Sequence, residues 1–283
     1  MVNILISGYY GFDNIGDESI LRTLVSSLRE HIPDCSLTVL SHNPASTREK
    51  YGVEAVDRMS PMAILRAVKK CDMLISGGGS LLQDVTSSKS LHYYLSIIRC
   101  AEFFHKKVFI YSQGIGPIDR PDNRRAAAAA LKRADGIVVR DERSASLLEE
   151  IGIARDKVVI TADQVIRMKK PDGDVGAEIL RKAGVSLDGR LTVGWAIRER
   201  DTDSRFVKEL LRSIQMMKDK YNAQSVLIPF HYEEDGEVCR HIAAQLPDDT
   251  AVCLNEKYLS EDMLSIIGNM DPVSYTHLRL PTI

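Results

Sequence analysis

The chain has few cysteines, and they are not arranged to form a disulfide framework or a zinc site. Its five cysteines stand apart in the sequence, and none belongs to a C-x-x-C pair. Isolated cysteines of this kind behave as small buried apolar side chains in a reducing compartment. We therefore expect a protein without disulfides and without a bound metal.

Long apolar stretches and a large net charge are also missing. No apolar run approaches the roughly 20 residues that a membrane-spanning helix needs, and no basic segment precedes the first apolar run. The formal net charge of −2 argues against a nucleic-acid partner, because such proteins usually present a basic face. These absences predict a cytoplasmic protein, and they leave peripheral association with the inner face of the membrane open.

Several catalytic signatures are absent as well. The sequence contains no Ser-His-Asp order, no Walker phosphate-binding sequence and no cluster of metal-ligating residues. The string QGIGP is similar to part of a dinucleotide-binding fingerprint, but it lacks the third glycine and follows the wrong strand for that role. The remaining chemistry is the binding of anions and hydroxyl groups, together with one acid or base.

Three glycine-rich turns, each directly after a short apolar run, are the most informative feature that is present. They are ILISGYYGFDNIGDES (Ile4 to Ser19), LISGGGSLLQD (Leu74 to Asp84) and FIYSQGIGP (Phe109 to Pro117). Glycine permits positive φ and close approach of a ligand to the main chain, and N–H groups at a helix start favour anions. The three turns predict one ligand site for a negatively charged group at the carboxyl edge of a parallel sheet.

Apolar β-branched runs alternate with amphipathic segments along nearly the whole chain. The run NILIS, for example, precedes a helical pattern from Ser19 to His31 with apolar residues at i, i+3 and i+4 spacing. Such alternation predicts βαβ units and an α/β fold with doubly wound parallel sheets. We expect two Rossmann-like domains in a GT-B-like architecture.

The domain boundary is expected in the segment 163–175, where MKKPDGD interrupts the alternation with proline, glycine and charge. The prediction is an N-terminal domain over residues 1–165 and a C-terminal domain over residues 166–271. Only three strands are expected after the boundary. Because so few strands make a poor sheet, we interpret the second domain as incomplete. We interpret residues 272–283, with the sequence PVSYTHLRLPTI, as a non-native tail, and expect the natural sequence to continue differently after about Asp271.

The first glycine turn carries side chains that bind hydroxyl groups. We interpret it as contacting a ligand, and a sugar is the ligand that fits. The alternative is structural: Asp17 or Ser19 caps the following helix, and the adjacent tyrosines pack at the base of the loop. The candidate substrate-binding residues here are Tyr10, Gly11, Asn14 and Gly16, and Asp17 is a candidate catalytic residue.

The second and third turns supply further candidates for substrate binding. Three consecutive glycines are entropically costly unless the backbone needs their freedom. The polar residues that follow them are spaced so that they face the same edge, although a tight strand–helix turn explains the glycines equally well. The candidates are Gly77, Gly78, Gly79, Ser80, Gln83 and Asp84 in the second turn, and Gln113, Gly114 and Gly116 in the third.

Charged residues follow other predicted strands at the same edge. Arg140 and Asp141 end the run GIVVR-D, and an arginine there suits a carboxylate or phosphate through paired hydrogen bonds. The alternative is an Arg–Asp pair that stabilises the loop. Arg198 ends the run LTVGWAIR and is a second anion-binding candidate, and His231 follows SVLIPF as a candidate acid or base.

Taken together, four strings resemble one family. SGYYGFDNIGDE, LISGGGSLLQD, SQGIGP and VRDERS, in this order and spacing, are similar to the polysaccharide pyruvyltransferases of bacterial cell-wall polymer synthesis, and the resemblance covers about Asn3 to Asp271. It implies a GT-B-like fold and transfer of pyruvate from phosphoenolpyruvate, as a ketal, to two hydroxyls of a sugar, often N-acetylmannosamine. In some bacteria such ketals anchor surface-layer proteins.

The resemblance also implies roles for particular residues. It places Arg140 on phosphoenolpyruvate, with Arg198 as a helper, and it places the glycine loops near Asn14, Asp17 and Asp84 on the acceptor sugar. Phosphoenolpyruvate is then a co-substrate, and neither a cofactor nor a metal is required. The acceptor sugar belongs to a cell-wall polymer, free or lipid-linked.

The chain departs from the family pattern near its end. The family has a Met-Arg-Leu-His stretch after the segment that matches GNMD, whereas PVSYTHLRLPTI stands here, so the role of that histidine is not assigned to His277. We therefore expect little turnover from the chain as written. Two alternatives stay open: a nucleotide-sugar glycosyltransferase on the same GT-B-like frame, and a non-catalytic sugar-binding protein.

Overall fold

The computed structural model describes residues 1–85, 87–171, 173–198, 202 and 204–275. The chain divides into two compact units, Met1–Met168 and the residues from Lys169 onward. Each unit is an α/β layer structure built on a parallel sheet, as the alternating pattern predicts. Within the described residues, no helix is both long enough and apolar enough to cross a membrane.

The first unit is built on a seven-stranded parallel sheet with the strand order β3-β2-β1-β4-β5-β6-β7. The order reverses between β1 and β4, which is where ligands bind in open α/β sheets. The strands are β1 Val2–Tyr10, β2 Cys35–Ser41, β3 Glu54–Asp57, β4 Met73–Gly77, β5 Lys107–Gln113, β6 Gly136–Val139 and β7 Val158–Ile160. The helices are α1 Ile15–His31, α2 Pro44–Tyr51, α3 Pro61–Lys70, α4 Ser88–Phe103, α5 Pro121–Leu131 and α6 Glu142–Glu150, with short 3₁₀ helices at Arg155–Lys157 and Gln164–Arg167.

Helices cover both faces of this sheet, so the unit has two apolar cores. One core contains Leu5, Leu74 and Ile110 together with apolar side chains of α3, α4, α5 and α6. The other contains Ile4, Ile6 and Ile75 with the apolar side chains of α1. Successive residues of β1 and β4 therefore point to opposite cores, which explains the uninterrupted apolar runs Ile4–Ile6 and Met73–Ile75.

Two elements of the first unit, α2 and β3, are not predicted by the sequence pattern. The α2 sequence PASTREKY has no apolar stripe, and only Thr47 and Tyr51 are buried. Its ends are defined locally instead: the Asn43 side chain accepts a hydrogen bond from the N–H of Ser46, and Gly52 adopts a left-handed conformation at the C-terminus. Strand β3 is four residues long, too short for a pattern to show.

The second unit contains a four-stranded parallel sheet with the order β10-β9-β8-β11. The expectation of three strands is therefore wrong: the fourth, β11, pairs with β8 and lies in the segment interpreted as a non-native tail. The rest of that segment, residues 276–283, lies outside the described residues. The elements are α7 Val175–Lys182, β8 Thr192–Ala196, α8 Arg205–Tyr221, β9 Gln224–Ile228, α9 Tyr232–Ala243, β10 Ala251–Cys253, α10 Ser260–Ile267 and β11 Val273–Tyr275.

Candidate functional site

The carboxyl ends of β1 and β4 meet at the point where the strand order of the first sheet reverses. Tyr10, the last residue of β1, is 1% exposed, and its hydroxyl donates a 2.7 Å hydrogen bond to the carbonyl oxygen of Gly77, the last residue of β4. The predicted contact between the Tyr10 side chain and a substrate is therefore wrong. Tyr10 instead joins the first and second glycine turns.

The first glycine turn is held by a buried carboxylate that sequence reasoning missed. Glu18 is 7% exposed, and its Oε1 accepts a 2.9 Å hydrogen bond from the N–H of Gly11. Its other carboxylate oxygen, Oε2, accepts a hydrogen bond from the Tyr51 hydroxyl on α2. Glu18 thus fixes the conformation of the turn from within α1, and the N–H of Gly11 is already used.

Asn14 caps α1, a role that the sequence pattern had suggested for Asp17 or Ser19. Its side-chain oxygen accepts a 3.2 Å hydrogen bond from the N–H of Asp17 and caps α1. Gly16 lies exposed in the first turn of this helix. Because Asn14 is the cap, the carboxylate of Asp17 is not needed for capping, and Asp17 lies half-buried on the first turn of α1.

The second glycine turn passes very close to α1. Gly78 has a φ of +68°, and a side-chain Cβ there would lie 1.9 Å from Cγ2 of Ile20, so this position requires glycine. Its N–H donates a 2.9 Å hydrogen bond to the carbonyl of Tyr111 on β5. The three glycines therefore serve tight packing between β4, α1 and β5, and this packing brings Gly79 beside Asp17.

The third glycine turn is bound to the second along its length. The N–H of Gly114 donates to the carbonyl of Gly79 at 2.9 Å, and the N–H of Gly116 donates to that of Leu82 at 2.8 Å. Gln113, predicted to bind substrate, is fully buried instead, and its side-chain nitrogen donates to the hydroxyl of Ser76 at 2.8 Å. The Gln113 side chain therefore links the ends of β5 and β4 inside the protein and does not reach a ligand.

Asp84, predicted to contact the sugar, has a structural role in the protein. Its carboxylate accepts hydrogen bonds from the N–H groups of Asp119 at 2.9 Å and Arg120 at 3.1 Å, and from the Asn123 side chain at 2.8 Å. Partial burial raises the pKa of Asp84, but these hydrogen bonds outweigh it and hold the pKa below its ordinary value. Asp84 thus stabilises the start of α5, which has no side-chain cap of its own. The neighbouring Gln83 accepts a 2.8 Å hydrogen bond from the N–H of Val85.

Arg140 lies at the predicted edge, directly after β6, and its side chain is 31% exposed. Its Nη1 lies 2.9 Å from Oδ2 of Asp163, and its Nη2 donates to the hydroxyl of Ser80 at 2.9 Å. Asp141 is 3.7 Å from Nε of Arg140 and also caps α6 by accepting from the N–H of Ser144. A guanidinium has five N–H donors, so two hydrogen bonds orient Arg140 and leave donors for an anion.

Asp17 and Arg140 both lie against the hydrogen-bonded pair Gly79 and Gly114. A Cβ built on Gly79 would lie 3.1 Å from Oδ1 of Asp17. A Cβ built on Gly114 would lie 2.8 Å from Nη2 of Arg140 and 2.9 Å from the hydroxyl of Ser80. The absence of side chains on these two glycines therefore leaves room for a carboxylate and a guanidinium beside neighbouring backbone segments.

A cluster of aromatic rings around a buried arginine lies next to the first glycine turn. Tyr9, Phe12 and His42 form a parallel stack with centroid distances of 4.0 Å and 4.4 Å, and His42 is its exposed outer member. Arg58 is 7% exposed and donates to the carbonyl of Gly8 at 3.0 Å and to the hydroxyl of Tyr94 at 3.2 Å. Its guanidinium lies within 6 Å of four ring centroids, those of Tyr9, Phe12, Tyr93 and Tyr94.

Three carboxylates lie close enough to the end of β1 to affect the Tyr10 hydroxyl. Burial raises the pKa of Tyr10 well above its ordinary value, and the negative charges of Asp17, Glu18 and Asp163 raise it further. Carboxylate oxygens accept hydrogen bonds from hydroxyl groups. This part of the edge therefore suits a polyhydroxylated ligand, and Arg140 provides positive charge at its other side.

The second unit has charged residues at the carboxyl ends of β8 and β9. Arg198 is exposed two residues after β8, and His231 is the N-cap residue of α9 after β9. Sequence reasoning missed Asp235, which is 2% exposed and accepts a 2.7 Å hydrogen bond from the N–H of His231. Burial raises the pKa of Asp235, and the hydrogen bond from His231 and the positive charge of Arg198 partly oppose the rise.

The ring of His231 caps α9, and its predicted role as an acid or base stays a prediction. Its Nδ1 accepts a 3.3 Å hydrogen bond from the N–H of Glu234, so in this arrangement the ring proton is on Nε2. In this tautomer His231 offers its Nε2–H as a hydrogen-bond donor.

Comparison with known proteins identifies relatives of this fold and sequence. The model of the family described as polysaccharide pyruvyl transferase matches residues 14–272. The amylovoran biosynthesis protein AmsJ of Erwinia amylovora is 24% identical, and the match covers 70% of this chain and 57% of AmsJ. The chain thus spans less than two thirds of the length of that relative.

Solved structures of similar fold contain two α/β domains of the GT-B-like type. Anabaena Alr3699/HepE, solved in complex with UDP-glucose, superposes with a TM-score of 0.61 at 11% identity, covering 96% of this chain and 73% of that protein. The UDP-GlcNAc 2-epimerase of Neisseria meningitidis, solved bound to UDP-GlcNAc, gives a TM-score of 0.59 at 15% identity, covering 97% and 77%. At these identities the likeness concerns the fold alone.

Proposed function

Because this chain belongs to the polysaccharide pyruvyl transferase family, we propose that it transfers pyruvate from phosphoenolpyruvate to a sugar. The product is a ketal across two hydroxyls of a sugar in a cell-wall polymer or its lipid-linked precursor, and N-acetylmannosamine is the first acceptor to test. The observation that carries the proposal is the position of Asp17 and Arg140 against the paired glycines Gly79 and Gly114. One side chain suits a sugar hydroxyl, and the other suits an anionic donor.

The proposed reaction is balanced by two sugar hydroxyls and one phosphoenolpyruvate. A proton adds to C3 of the enol, which becomes a methyl group, and the positive charge develops at C2. The first sugar oxygen bonds to C2, the bond between C2 and the phosphate oxygen breaks, and the second sugar oxygen bonds to C2. Of the two hydroxyl protons released, one replaces the proton taken up by C3 and the other leaves with phosphate. The scheme needs no oxidant and no metal.

In this scheme Asp17 is the base that takes the proton of an attacking hydroxyl. It is half-buried on the first turn of α1, and Asn14 already caps that helix. A positioned base of this kind contributes about 100-fold or more to a rate. The exposed face of His42 at the end of the ring stack is proposed to pack against the sugar ring, since aromatic and polar groups together line most ligand sites.

Arg140 is proposed to bind the carboxylate or phosphate of phosphoenolpyruvate. Its hydrogen bonds to Asp163 and Ser80 fix the guanidinium plane, which lowers the entropy lost when an anion binds. In the second unit, Arg198 is proposed as a further anion contact and His231 as a hydrogen-bond donor through Nε2. Neither of these two residues is given a proton-transfer role.

The proposal is tested by comparing the ligands that stabilise the protein. We expect phosphoenolpyruvate to raise the melting temperature of the wild-type protein and to raise that of Arg140→Ala much less. The matched control is Arg143→Ala, because Arg143 is exposed on α6 and makes none of these contacts. For each variant the shift is measured against the same variant without ligand, so that lost stability cancels. Stabilisation by UDP-glucose and not by phosphoenolpyruvate would overturn the proposal in favour of a nucleotide-sugar glycosyltransferase.

A further inference from the structure

Helices α3 and α4 lie side by side on one face of the first sheet and carry an unusual distribution of charge. The segments 59–71 and 87–106 contain six lysines and arginines but a single carboxylate, Glu102. Glu102 is 8% exposed, and its burial raises its pKa. The chain as a whole carries a net charge of −2, so its acidic residues are concentrated elsewhere. The six basic residues are Arg66, Lys69, Lys70, Lys89, Arg99 and Lys106.

The basic residues of α3 are on its outer side. Val68 is buried, and Ile64 and Ala67 pack against the core formed with α4 and the sheet. Met62, Arg66, Lys69 and Lys70 are exposed, at i, i+4, i+7 and i+8 spacing, which places them along one stripe of the helix. The outer surface of α3 therefore begins with Met62 and is basic over its second half.

The outer side of α4 continues this surface. Lys89, His92, Arg99 and Phe103 are exposed at intervals of three, seven and four residues, while Leu91, Leu95 and Ile98 are buried. The two helices are in contact, and Nζ of Lys69 lies 5.1 Å from the ring centroid of Phe104 at the end of α4. We call the exposed residues of α3 and α4, together with Met59, the α3–α4 face.

The basic side chains of this face outnumber the carboxylates near them, although Glu102 interacts electrostatically with Arg99 and Asp72 with Lys106. Within the part of the chain that the structure describes, Arg66, Lys69, Lys70, Lys89 and Arg99 form no ion pair. The flanking carboxylates have other partners: Asp57 accepts from the N–H of Met59, and Asp72 accepts from the N–H and side chain of Asn3. Glu54 lines the same groove as Arg66 and Lys70. One carboxylate does not balance the positive charges of the α3–α4 face.

Large apolar side chains stand exposed on the same face. Met59 is 68% exposed and Met62 60% at the start of α3, and Phe103 is 75% exposed at the end of α4. Exposed methionine and phenylalanine beside lysine and arginine are the combination found on surfaces that lie in the headgroup region of a bilayer. An acidic polymer would contact the basic side chains and leave the exposed apolar side chains without an apolar partner.

We propose that the α3–α4 face docks the protein on an anionic membrane surface. The lysines and arginines contact lipid phosphates, and Met59, Met62 and Phe103 enter the headgroup layer. The face borders the aromatic cluster described above, because Arg58 directly precedes Met59 in the chain. The docking surface is independent of the transferase assignment, since it requires neither donor nor acceptor.

The test is sedimentation of the full chain with vesicles in the absence of any sugar or phosphoenolpyruvate. We expect binding to vesicles of phosphatidylcholine with phosphatidylglycerol, little binding to pure phosphatidylcholine, and loss of binding as salt is raised. The combined substitution Arg66→Gln, Lys69→Gln and Lys70→Gln should weaken partitioning on the order of 100-fold, given the effect of each basic residue near an anionic surface. Phe103→Ser should weaken it several-fold and leave the salt dependence unchanged.

A matched control removes the same charge from another exposed helix. Arg205, Lys208 and Lys220 lie exposed on α8, and their combined change to glutamine should leave vesicle binding as in the wild type. Equal losses in the two triple variants would overturn the proposal, because net charge alone would then explain binding. Equal binding to both vesicle types would also overturn it, as would capture by dextran sulfate without any binding to vesicles.

Discussion

The hydroxyl of Tyr10 donates a 2.7 Å hydrogen bond to the carbonyl oxygen of Gly77 across the point where the first sheet reverses its strand order. Both residues end a strand, so this single buried contact fixes the relative position of two glycine turns. The first turn contains Asp17 and the second contains Gly79, and these two residues lie close together. The carbonyl of Gly79 accepts a hydrogen bond from the N–H of Gly114. The tyrosine thus determines where the proposed base is held.

Replacement of Tyr10 by phenylalanine removes this hydrogen bond and keeps the ring. The carbonyl of Gly77 then loses a buried partner, so we expect the free energy of unfolding to fall by about 1–2 kcal/mol. Urea denaturation followed by circular dichroism measures the change. Tyr111→Phe is the matched control, because within the described residues the Tyr111 hydroxyl has no hydrogen bond, and it should change stability by much less. Equal effects of the two substitutions would contradict the role given to Tyr10.

Replacement of Asp84 by asparagine tests whether this carboxylate stabilises α5. Hydrogen bonds hold the pKa of Asp84 below its ordinary value of 3.8, so its ionised form stabilises the folded state above that pH, and the contribution is lost as the pH falls through the lower folded value. We expect Asp84→Asn to cost about 1 kcal/mol at pH 7 and progressively less as the pH is lowered below about 4.

The exposed neighbour Asp119 provides the control for this pH series. Its carboxylate makes no hydrogen bond among the described residues, and Asp119→Asn should leave the stability unchanged over the same range. A destabilisation by Asp84→Asn that is constant with pH would show that the charge of Asp84 plays no part.

Replacement of Asp17 by asparagine tests the proposed base. We expect kcat for pyruvyl transfer to fall by about 100-fold or more, because the variant keeps the shape of the side chain but cannot take a proton. The cap of α1 by Asn14 is unchanged, and the melting temperature of each variant is measured beside kcat so that lost stability is told apart from a lost base. Glu49→Gln, an exposed carboxylate change on α2, is the control and should retain full activity. A normal kcat in Asp17→Asn would assign the proton transfer to another group.

Replacement of His42 by alanine tests the ring stack as a contact for the sugar. Loss of one stacking interaction, worth about 1 kcal/mol, should raise KM for the acceptor several-fold and leave KM for phosphoenolpyruvate unchanged. His31→Ala, which removes an exposed histidine at the end of α1, should change neither constant. A parallel rise of both KM values in His42→Ala would point to a general disturbance of the loop.

The strands and glycine turns of the first unit could be predicted from the sequence because their pattern is local. Strands β1, β4 and β5 are covered by helices on both faces, so each contains an apolar run that stops shortly before a glycine turn. The polar α2 and the three-residue β11 have no such pattern. Strand β11 is held by pairing with β8, about 80 residues away in the chain, and a local pattern cannot predict such a strand.

Site residues were harder to predict because one side-chain type serves two purposes. Asn14, Asp84 and Asp141 have the chemistry of sugar ligands, yet they accept hydrogen bonds from backbone N–H groups at helix starts. Other residues were missed because their partners are distant. Arg58 reaches the carbonyl of Gly8, 50 positions earlier in the sequence, and nothing near either residue signals that contact.

Acceptor-dependent release of phosphate from phosphoenolpyruvate tests the central claim most directly. The protein is incubated with phosphoenolpyruvate, with and without an N-acetylmannosaminyl acceptor, and the sugar product is analysed by mass spectrometry so that slow turnover is registered. The proposed function predicts that phosphate and the pyruvyl ketal form in equal amounts, only when acceptor is present, and that both fall together in Asp17→Asn. Phosphate release that is independent of acceptor, or the absence of ketal after prolonged incubation with a panel of cell-wall sugars, would contradict it.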